Sequence, residues 1–400
     1  MDFTFTPEQE SFRQELRTWL AANVPPESEQ LRHLQPQASA ADLTFLKDWQ
    51  KKVYDGGWTG VSWPKEYGGR GTSLIERMIF DEEMAAHKAP ALMNVLGLEI
   101  VGPTIIVHGT EEQKKKHLSH ILSGEDVWSQ GYSEPNSGSD LGSLQTRAVE
   151  EGDYFVVNGQ KVWTSLANYA DWCLLLVRTN PDAPKHKGLS ALLVDMKSPG
   201  VNIQPLRTMT GESEFNEVFF EDVKVPKAHL LGEKDQGWRV IITSLMFERQ
   251  GLGFYFTFAM KRAYEDLQQK VRQETCDGEP LKDSPLVRQK MAQAYIDSEV
   301  LKLNNYRALT RLLRGTPPGA EGSIAKLHWA ESNQRLQELA VDIQGPHAQL
   351  YQDADGQNGE GAAYWQYGFI RSKANTIEGG TSEILRNIIA ERVLEMPRGR

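Results

Sequence analysis

The spacing of apolar residues changes twice along this 400-residue chain, and these changes constrain its fold more than any other feature. Residues 7–124 repeat apolar side chains every three or four positions, as in EQESFRQELRTWLAANV, which is typical of helices with one buried face. Residues 125–232 instead hold short runs rich in Val, Phe, Leu and Trp, which indicate strands. Long helical patterns return after Gly237. The sequence therefore predicts an α+β protein.

The same changes predict three domains, a helical one at residues 1–124, a β domain at 125–233 and a second helical domain at 234–400. Within the β domain, Asn158-Gly159 in YFVVNGQKVW predicts a hairpin turn. Loops are expected at 314–323 and 352–363 in the last domain. A hydrophobic content of 40% is enough to bury more than one core in a chain of this length.

Charge and cysteine content exclude several classes of protein. A net charge of −10 argues against a nucleic acid or an anionic membrane as the main partner, since both attract clustered Lys and Arg. The chain has two cysteines, Cys173 and Cys276, in no metal-ligand spacing, so neither a disulfide framework nor a metal site is expected. No apolar run approaches the roughly 20 residues of a membrane span, and the first residues lack a signal-peptide pattern. We therefore expect a cytoplasmic protein.

Two separated segments combine glycine with short hydroxyl side chains. They are GYSEPNSGSDLGS at 131–143 and TIEGGTSEILRNII at 376–389. Glycine lets main-chain N–H groups approach phosphates or a flat polar ring system closely. Either segment alone is most simply a turn, but WPKEYGGRG (63–71), NGQKVWTS (158–165) and FNEVFFEDVKVP (215–226) accompany them. Together the five segments resemble the acyl-CoA dehydrogenase family over nearly the whole chain.

The resemblance implies a fold and a reaction. The fold would be an N-terminal helical domain, a central β-barrel-like domain and a C-terminal four-helix bundle. The cofactor would be FAD, the substrate an acyl-CoA thioester in lipid or fatty acid metabolism, and the product a trans-2-enoyl-CoA. A carboxylate would remove the α-proton while the flavin accepts the β-hydride. Electron-transfer flavoprotein would be the electron acceptor, and the protein would be a homodimer or homotetramer.

The carboxylate that acts as base must be chosen between two residues. Many members of the family carry it at the position held here by Gly379, which has no side chain. A subset that resembles the isovaleryl-CoA and long-chain enzymes carries it on the first long helix of the bundle, where Glu248 matches. Glu248 shares a helix face with Ile241 and Leu245, together with Leu252 and Tyr255, so partial desolvation should favour its role as a base. Glu378 is the rival, and it would need a local rearrangement of its loop.

The resemblance also assigns binding roles. The backbone N–H of Gly379 would donate to the thioester carbonyl, and the missing side chain leads us to hypothesise a branched or bulky acyl group. Ser139, Leu245 and Arg249 would border the substrate, although Arg249 points to another helix face and should mainly fix that helix against the loop at 376–383. The residues expected to bind FAD are Tyr132, Ser133, Ser139, Trp163, Ser165, Gly380, Thr381 and Glu383, with Arg272 and Gly345 as matches for the adenine end.

Departures from the family pattern leave alternatives open. The segments VRQETCDGEPLKDSPLVRQK and DIQGPHAQ differ from the usual Arg-x-x-Phe-Gly and Gln-x-x-Gly-Gly-x-Gly motifs around Arg272 and Gly345. One alternative is a catalytically silent subunit of a heteromeric acyl-CoA dehydrogenase, against which Glu248 argues. Another is an acyl-CoA oxidase or flavin monooxygenase of the same fold.

Overall fold

The computed structural model describes residues 4–26, 40–276, 278–315, 319–349 and 362–398. The chain forms two compact units. The first contains Met1–Phe80 and His87–Gly251, and the second contains Asp81–Ala86 and Leu252–Arg400. The first unit thus holds the eight-stranded sheet and the N-terminal helices, apart from the last residues of helix Leu74–Ala86, and the second unit holds most of the C-terminal helices.

The first unit begins with helices whose ends are fixed by side chains. Thr6 and Thr110 each cap a helix in a capping box, with Gln9 and Gln113 as the reciprocal partners. A π-helical turn, Gly97–Val101, precedes α4, and the indole N–H of Trp63 donates to the Leu98 carbonyl in that turn at 3.1 Å. The helices are α1 (Pro7–Asn23), α2 (Ala40–Asp55), α3 (Leu74–Ala86), α4 (Gly102–His108) and α5 (Glu111–Ser123).

Eight strands form one sheet in the order β6-β7-β3-β2-β4-β5-β8, with β1 paired to β4 in parallel. β4 is buried on both faces because Leu174 and Leu176 join one apolar core while Leu175 and Val177 join another. The strands are β1 (Trp128–Gly131), β2 (Arg147–Glu151), β3 (Tyr154–Lys161), β4 (Trp172–Arg178), β5 (Leu189–Asp195), β6 (Val201–Leu206), β7 (Phe215–Pro226) and β8 (Leu230–Leu231).

The predicted hairpin turn at Asn158-Gly159 is wrong. Both residues lie inside β3, and the chain reverses earlier, where Glu151 of β2 pairs with Tyr154 of β3. Gly159 has φ 151° at a register shift between β3 and β7, and a Cβ there would come within 2.6 Å of the Thr146 Cα. The glycine therefore serves a bulge and a close backbone approach.

The second unit is a helical bundle with its own core. Residues from successive helices, including Leu267, Leu301, Trp329, Leu339 and Trp365, form one buried cluster. Its elements are the C-terminal part of α6 (Gly237–Gln273), β9 (Thr275–Cys276), β10 (Glu279–Pro280), α7 (Pro285–Leu313), α8 (Gly322–Asp342), α9 (Ala362–Arg371) and α10 (Ser382–Arg392). The loop expected at 352–363 lies mostly outside the described residues. Within the described part of the chain, no helix is both long and apolar enough to span a membrane.

Candidate active site

A hydrogen bond between two buried hydroxyls joins the end of β1 to helix α6. Tyr132 follows β1 and is 9% exposed, and its phenol oxygen lies 2.7 Å from the Oγ of buried Ser244. Burial raises the pKa of Tyr132, the hydrogen bond to Ser244 lowers it by less, and the negative charge of Glu248 raises it further. The phenol group of Tyr132 is therefore neutral, and the negative charge of Glu248 acts on it electrostatically.

Glu248 lies one helical turn after Ser244 on α6 and is partly buried. On the same helix face, Ile241 is fully buried and Leu245 packs against the core of the first unit. The expected apolar stripe does not stay buried along the whole helix, because Tyr255 is 47% exposed. The side chains of Arg249 and Leu252 lie outside the described part of the structure.

Trp163 has an unusual backbone and an exposed ring. Its φ is 58°, in the left-handed region that non-glycine residues rarely adopt, and it is 60% exposed. The ring contacts Phe215 edge-on at a centroid distance of 5.8 Å. The amide of Val162 donates to the Ser133 carbonyl at 2.9 Å, so the segments that carry Ser133 and Trp163 are adjacent. Ser165 is half-buried and Ser139 is exposed.

The C-terminal glycine segment lies in the second unit and leads into α10. Gly379 and Gly380 have φ values of 61° and 101°, and the Oγ1 of Thr381 accepts from the Ile384 amide at 3.2 Å. Glu383 lies in the first helical turn, where its backbone amide and Thr381 lower its pKa. The ammonium group of Lys326 fixes the loop by donating to the Gly380 carbonyl at 2.7 Å.

Glu378, the rival base, is held in a hydrogen-bonded ion pair. The guanidinium group of Arg371 donates to its two carboxylate oxygens at 2.9 and 3.2 Å. Asn375 donates a further hydrogen bond at 2.8 Å. These three contacts occupy both oxygens, so the carboxylate is a poor candidate for taking up a substrate proton.

Features in each unit fit a flavin nucleotide. The first unit offers the exposed Trp163 ring as an apolar face. The second offers the N-terminal end of α10, where the buried Oγ of Ser382 has no hydrogen-bond partner among the described residues. Arg272 and Gly345, the matches for the adenine end, are both exposed in the second unit. No cluster of three or more potential metal ligands occurs among the described residues.

Lys161 was missed by the sequence interpretation. It ends β3 with its side chain fully buried, and its ammonium group donates to Glu134 and to the Tyr132 carbonyl. The sequence does carry a signal, since a lysine ends a strand whose other inward-facing residues are apolar. The partner, Glu134, lies 27 residues earlier, and nothing local connects the two.

The helical, β and helical regions carry a partly buried carboxylate on α6 whose charge acts on Tyr132 of the glycine- and serine-rich loop at 131–143, as expected for a flavin-dependent oxidoreductase that acts on acyl thioesters. Family models match nearly the whole chain. The acyl-CoA dehydrogenase N-terminal domain matches residues 6–125, the middle domain 129–223 and the C-terminal domain 235–394. The chain belongs to the acyl-CoA dehydrogenase family.

Relatives and solved structures agree with this assignment. Acyl-CoA dehydrogenase IpdE1 of Mycolicibacterium smegmatis is 39% identical, covering 98% of each chain. Acyl-CoA dehydrogenase FadE26 of Mycobacterium tuberculosis is 36% identical over 100% of this chain and 99% of that protein. A structure described as "Tcur3481-Tcur3483 steroid ACAD" matches all of both chains with a TM-score of 0.87 at 33% identity. A structure of the ChsE4-ChsE5 complex from Mycobacterium tuberculosis matches over 100% of this chain and 100% of the compared chain. The TM-score is 0.84 and the sequence identity is 34%.

These comparisons confirm the family, the α+β fold class and the assignment as an oxidoreductase enzyme. The family is FAD-dependent and binds acyl-CoA. The domain boundaries after residues 124 and 233 and the roles of the individual site residues stay predictions.

Proposed function

We propose that this protein catalyses the FAD-dependent α,β-dehydrogenation of an acyl-CoA thioester, with Glu248 as the base. The position of Glu248 carries the proposal. It is a partly buried carboxylate on α6, one turn from Ser244, and its charge acts on Tyr132 of the loop expected to contact the flavin. Glu378 is less suited because Arg371 and Asn375 occupy its oxygens.

The reaction removes a proton and a hydride from neighbouring carbons. An α-proton beside a thioester is a weak acid, so the carbonyl oxygen needs a hydrogen bond that strengthens as charge develops. Gly379 retains the backbone N–H that would provide it. Glu248 would take the proton, and Leu245, on the same helix face, would border the acyl chain. Bound FAD supplies the hydride acceptor.

We propose a bulky, ring-containing acyl group as the substrate. Gly379 adds no side chain at the position where many family members carry the base, which leaves room beside the reacting carbons. A solved structure similar to this chain is described as a steroid acyl-CoA dehydrogenase, which favours the same substrate class here. The general role in lipid metabolism follows from that substrate.

Anaerobic flavin bleaching tests the base. Reconstituted protein should bleach with its acyl-CoA, and Glu248→Gln should slow bleaching by about 10²-fold or more, because general-base catalysis contributes on that scale. Glu378→Gln is the matched control and should keep a rate near that of the unmodified protein. Full bleaching by Glu248→Gln, combined with loss in Glu378→Gln, would reverse the assignment.

A second set of measurements tests the acyl group. Ring-containing acyl-CoA thioesters should bleach the flavin faster than straight-chain thioesters with the same number of carbons. Gly379→Ala should lower the rate with ring-containing substrates more than with straight ones, because its Cβ occupies the open volume. Equal rates across the panel would contradict the proposed substrate class.

The assembly and the electron acceptor are also proposals. Two of the similar structures are named for pairs of proteins, Tcur3481-Tcur3483 and ChsE4-ChsE5. Because the motifs around Arg272 and Gly345 depart from the family pattern, we favour a heteromeric assembly over the homodimer or homotetramer expected from the sequence. Electron-transfer flavoprotein is the proposed acceptor, and the cytoplasm the proposed location. The test is native mass spectrometry of the protein, purified together with the proteins that bind it in the cell. The mass of the complex shows whether it contains one kind of subunit or two.

The two structures named for pairs of proteins also favour a second candidate function, that of a catalytically silent subunit in a heteromeric acyl-CoA dehydrogenase. Such a subunit would be colourless after purification and would not bind FAD in titrations. A yellow protein that bleaches with an acyl-CoA under nitrogen and is reoxidised only slowly when air is admitted supports the dehydrogenase, whereas rapid reoxidation by oxygen after bleaching supports an acyl-CoA oxidase or monooxygenase.

A further inference from the structure

We propose that Lys161 is a positioning residue for the flavin site, which it orders by tying strand β3 to the loop that carries Tyr132 and Ser133. This inference rests on the proposed flavin-dependent function. Lys161 is not among the residues expected to contact FAD or substrate, and its side chain is fully buried.

The ammonium group of Lys161 makes two hydrogen bonds to one short stretch of chain. It donates to the backbone carbonyl of Tyr132 at 3.0 Å and to Oε1 of Glu134 at 2.9 Å. The next residue, Val162, donates its amide to the Ser133 carbonyl at 2.9 Å. Three consecutive residues, 132 to 134, are therefore bonded to Lys161 and Val162, directly before Trp163.

Glu134 extends this arrangement to the far end of the loop. Its two carboxylate oxygens accept from the amides of Gln145 and Thr146 at 2.6 and 2.8 Å. Burial raises its pKa, but the charge of Lys161 and the hydrogen bonds lower it below the usual value, so Glu134 is ionised at neutral pH. One buried carboxylate thus closes the loop between Glu134 and Thr146, which contains Ser139.

A buried ion pair at this place is difficult to explain by stability alone. Taking two charges out of water is costly, and apolar replacements of similar volume often give equal or greater stability. Burial lowers the pKa of Lys161 to about 8, and the charge of Glu134 and the hydrogen bond to it oppose this shift. Directional bonds to a carbonyl and a carboxylate instead fix where the loop lies.

The fixed loop also bears on the proposed base. The carbonyl of Tyr132 is held by Lys161, and its phenol group is held by Ser244, one turn before Glu248. Without Lys161, the Tyr132 backbone loses its anchor while Glu134 keeps an uncompensated charge. The loop should then shift relative to Trp163, and both the affinity for flavin and the rate of the chemical step should decrease.

Four full-length variants test the proposal, each with whatever partner copurifies. Lys161→Met removes the ammonium group, Glu134→Gln removes the carboxylate charge, and the double variant removes both charges so that neither is left alone. Lys197→Met is the matched control, because Lys197 forms an exposed ion pair with Asp171 on the same domain. The measurements are FAD dissociation constants, the visible flavin spectrum, kcat and KM, and amide exchange at 134–146 without flavin.

We expect the double variant to fold, to bind FAD at least about tenfold more weakly, to show a shifted flavin band and to exchange faster at 134–146, since charged hydrogen bonds contribute on this scale. Its kcat should fall while KM changes little, and Lys197→Met should match the unmodified protein. A folded double variant with unchanged FAD affinity, spectrum and exchange would overturn the positioning role. If the unmodified protein itself binds no FAD, the proposed function fails, and this inference fails with it.

Discussion

At the scale of single residues, the contact between Tyr132 and Ser244 links the expected flavin loop to the helix that carries Glu248. Both groups are buried, and the 2.7 Å bond satisfies two hydroxyls that water cannot reach. Removing one partner leaves the other unpaired, which costs more than the bond itself contributes.

Tyr132→Phe should therefore lower the free energy of unfolding by about 1–3 kcal/mol, because it leaves the Ser244 hydroxyl buried without its partner. Urea denaturation of the first unit measures the loss. Ser244→Ala should cost a similar amount, and the double variant should cost less than the sum of the two. Additive costs would mean that the two hydroxyls do not stabilise each other.

The ion pair between Arg371 and Glu378 is the second residue-scale feature. Glu378 has a side-chain exposure of 32% and Arg371 21%, so solvent screens much of their attraction. Glu378→Gln should lower the free energy of unfolding by no more than about 1 kcal/mol, as is usual for partly exposed pairs. The measurement is the same urea transition in low and high salt. A cost that does not decrease with salt would contradict this explanation.

At the scale of elements, the start of α10 combines a helix cap with the proposed flavin contact. Thr381→Val should cost about 1 kcal/mol of stability, because it removes the hydroxyl that accepts from Ile384, while Thr381→Ser should restore most of it. Thermal denaturation without FAD measures the cap separately from cofactor binding. If Thr381→Val leaves that stability unchanged but weakens FAD binding, the hydroxyl serves the cofactor alone.

The elements also show what the sequence could and could not predict. The helical, β and helical order followed from local periodicity. The choice of Glu248 followed from the family resemblance, and its spacing to Ile241 and Leu245 only supported that choice. The Asn158-Gly159 turn failed because pairing of β3 with β7, more than 50 residues away, overrode the local turn preference. Lys161 and Glu134 could not be paired for the same reason, since only the folded sheet brings them together.

At the scale of the whole molecule, the two compact units should respond differently to acid because of a buried histidine in the first. His117 is 1% exposed and packs edge-on against Trp128 and Trp172, at centroid distances of 5.1 and 4.7 Å. Neither ring nitrogen has a hydrogen-bond partner among the described residues. Burial, followed by the charges of Lys116, His229 and His120, lowers the pKa of His117 from 6.5 to about 3.

The depressed pKa determines the sign of the pH dependence. Above pH 6.5 His117 is neutral in both the folded and the unfolded chain, so its protonation does not change the free energy of unfolding. Below pH 6.5 the unfolded chain takes up a proton that the folded chain does not. Stability should therefore fall by up to about 1.4 kcal/mol per pH unit between 6.5 and 3. Burial also lowers the pKa of His229, which adds to the same slope.

His117→Phe tests this directly, since a phenyl ring fits among the tryptophans and does not titrate. Urea denaturation at pH 7.5 and at pH 5 should show a smaller loss of stability in the variant, confined to the transition of the first unit. The slope that remains reports the other groups whose pKa is lowered in the first unit, among them His229 and His108. His347→Gln, at an exposed position in the second unit, is the control and should retain the full pH dependence. An unchanged slope in His117→Phe would show that other groups cause the acid sensitivity.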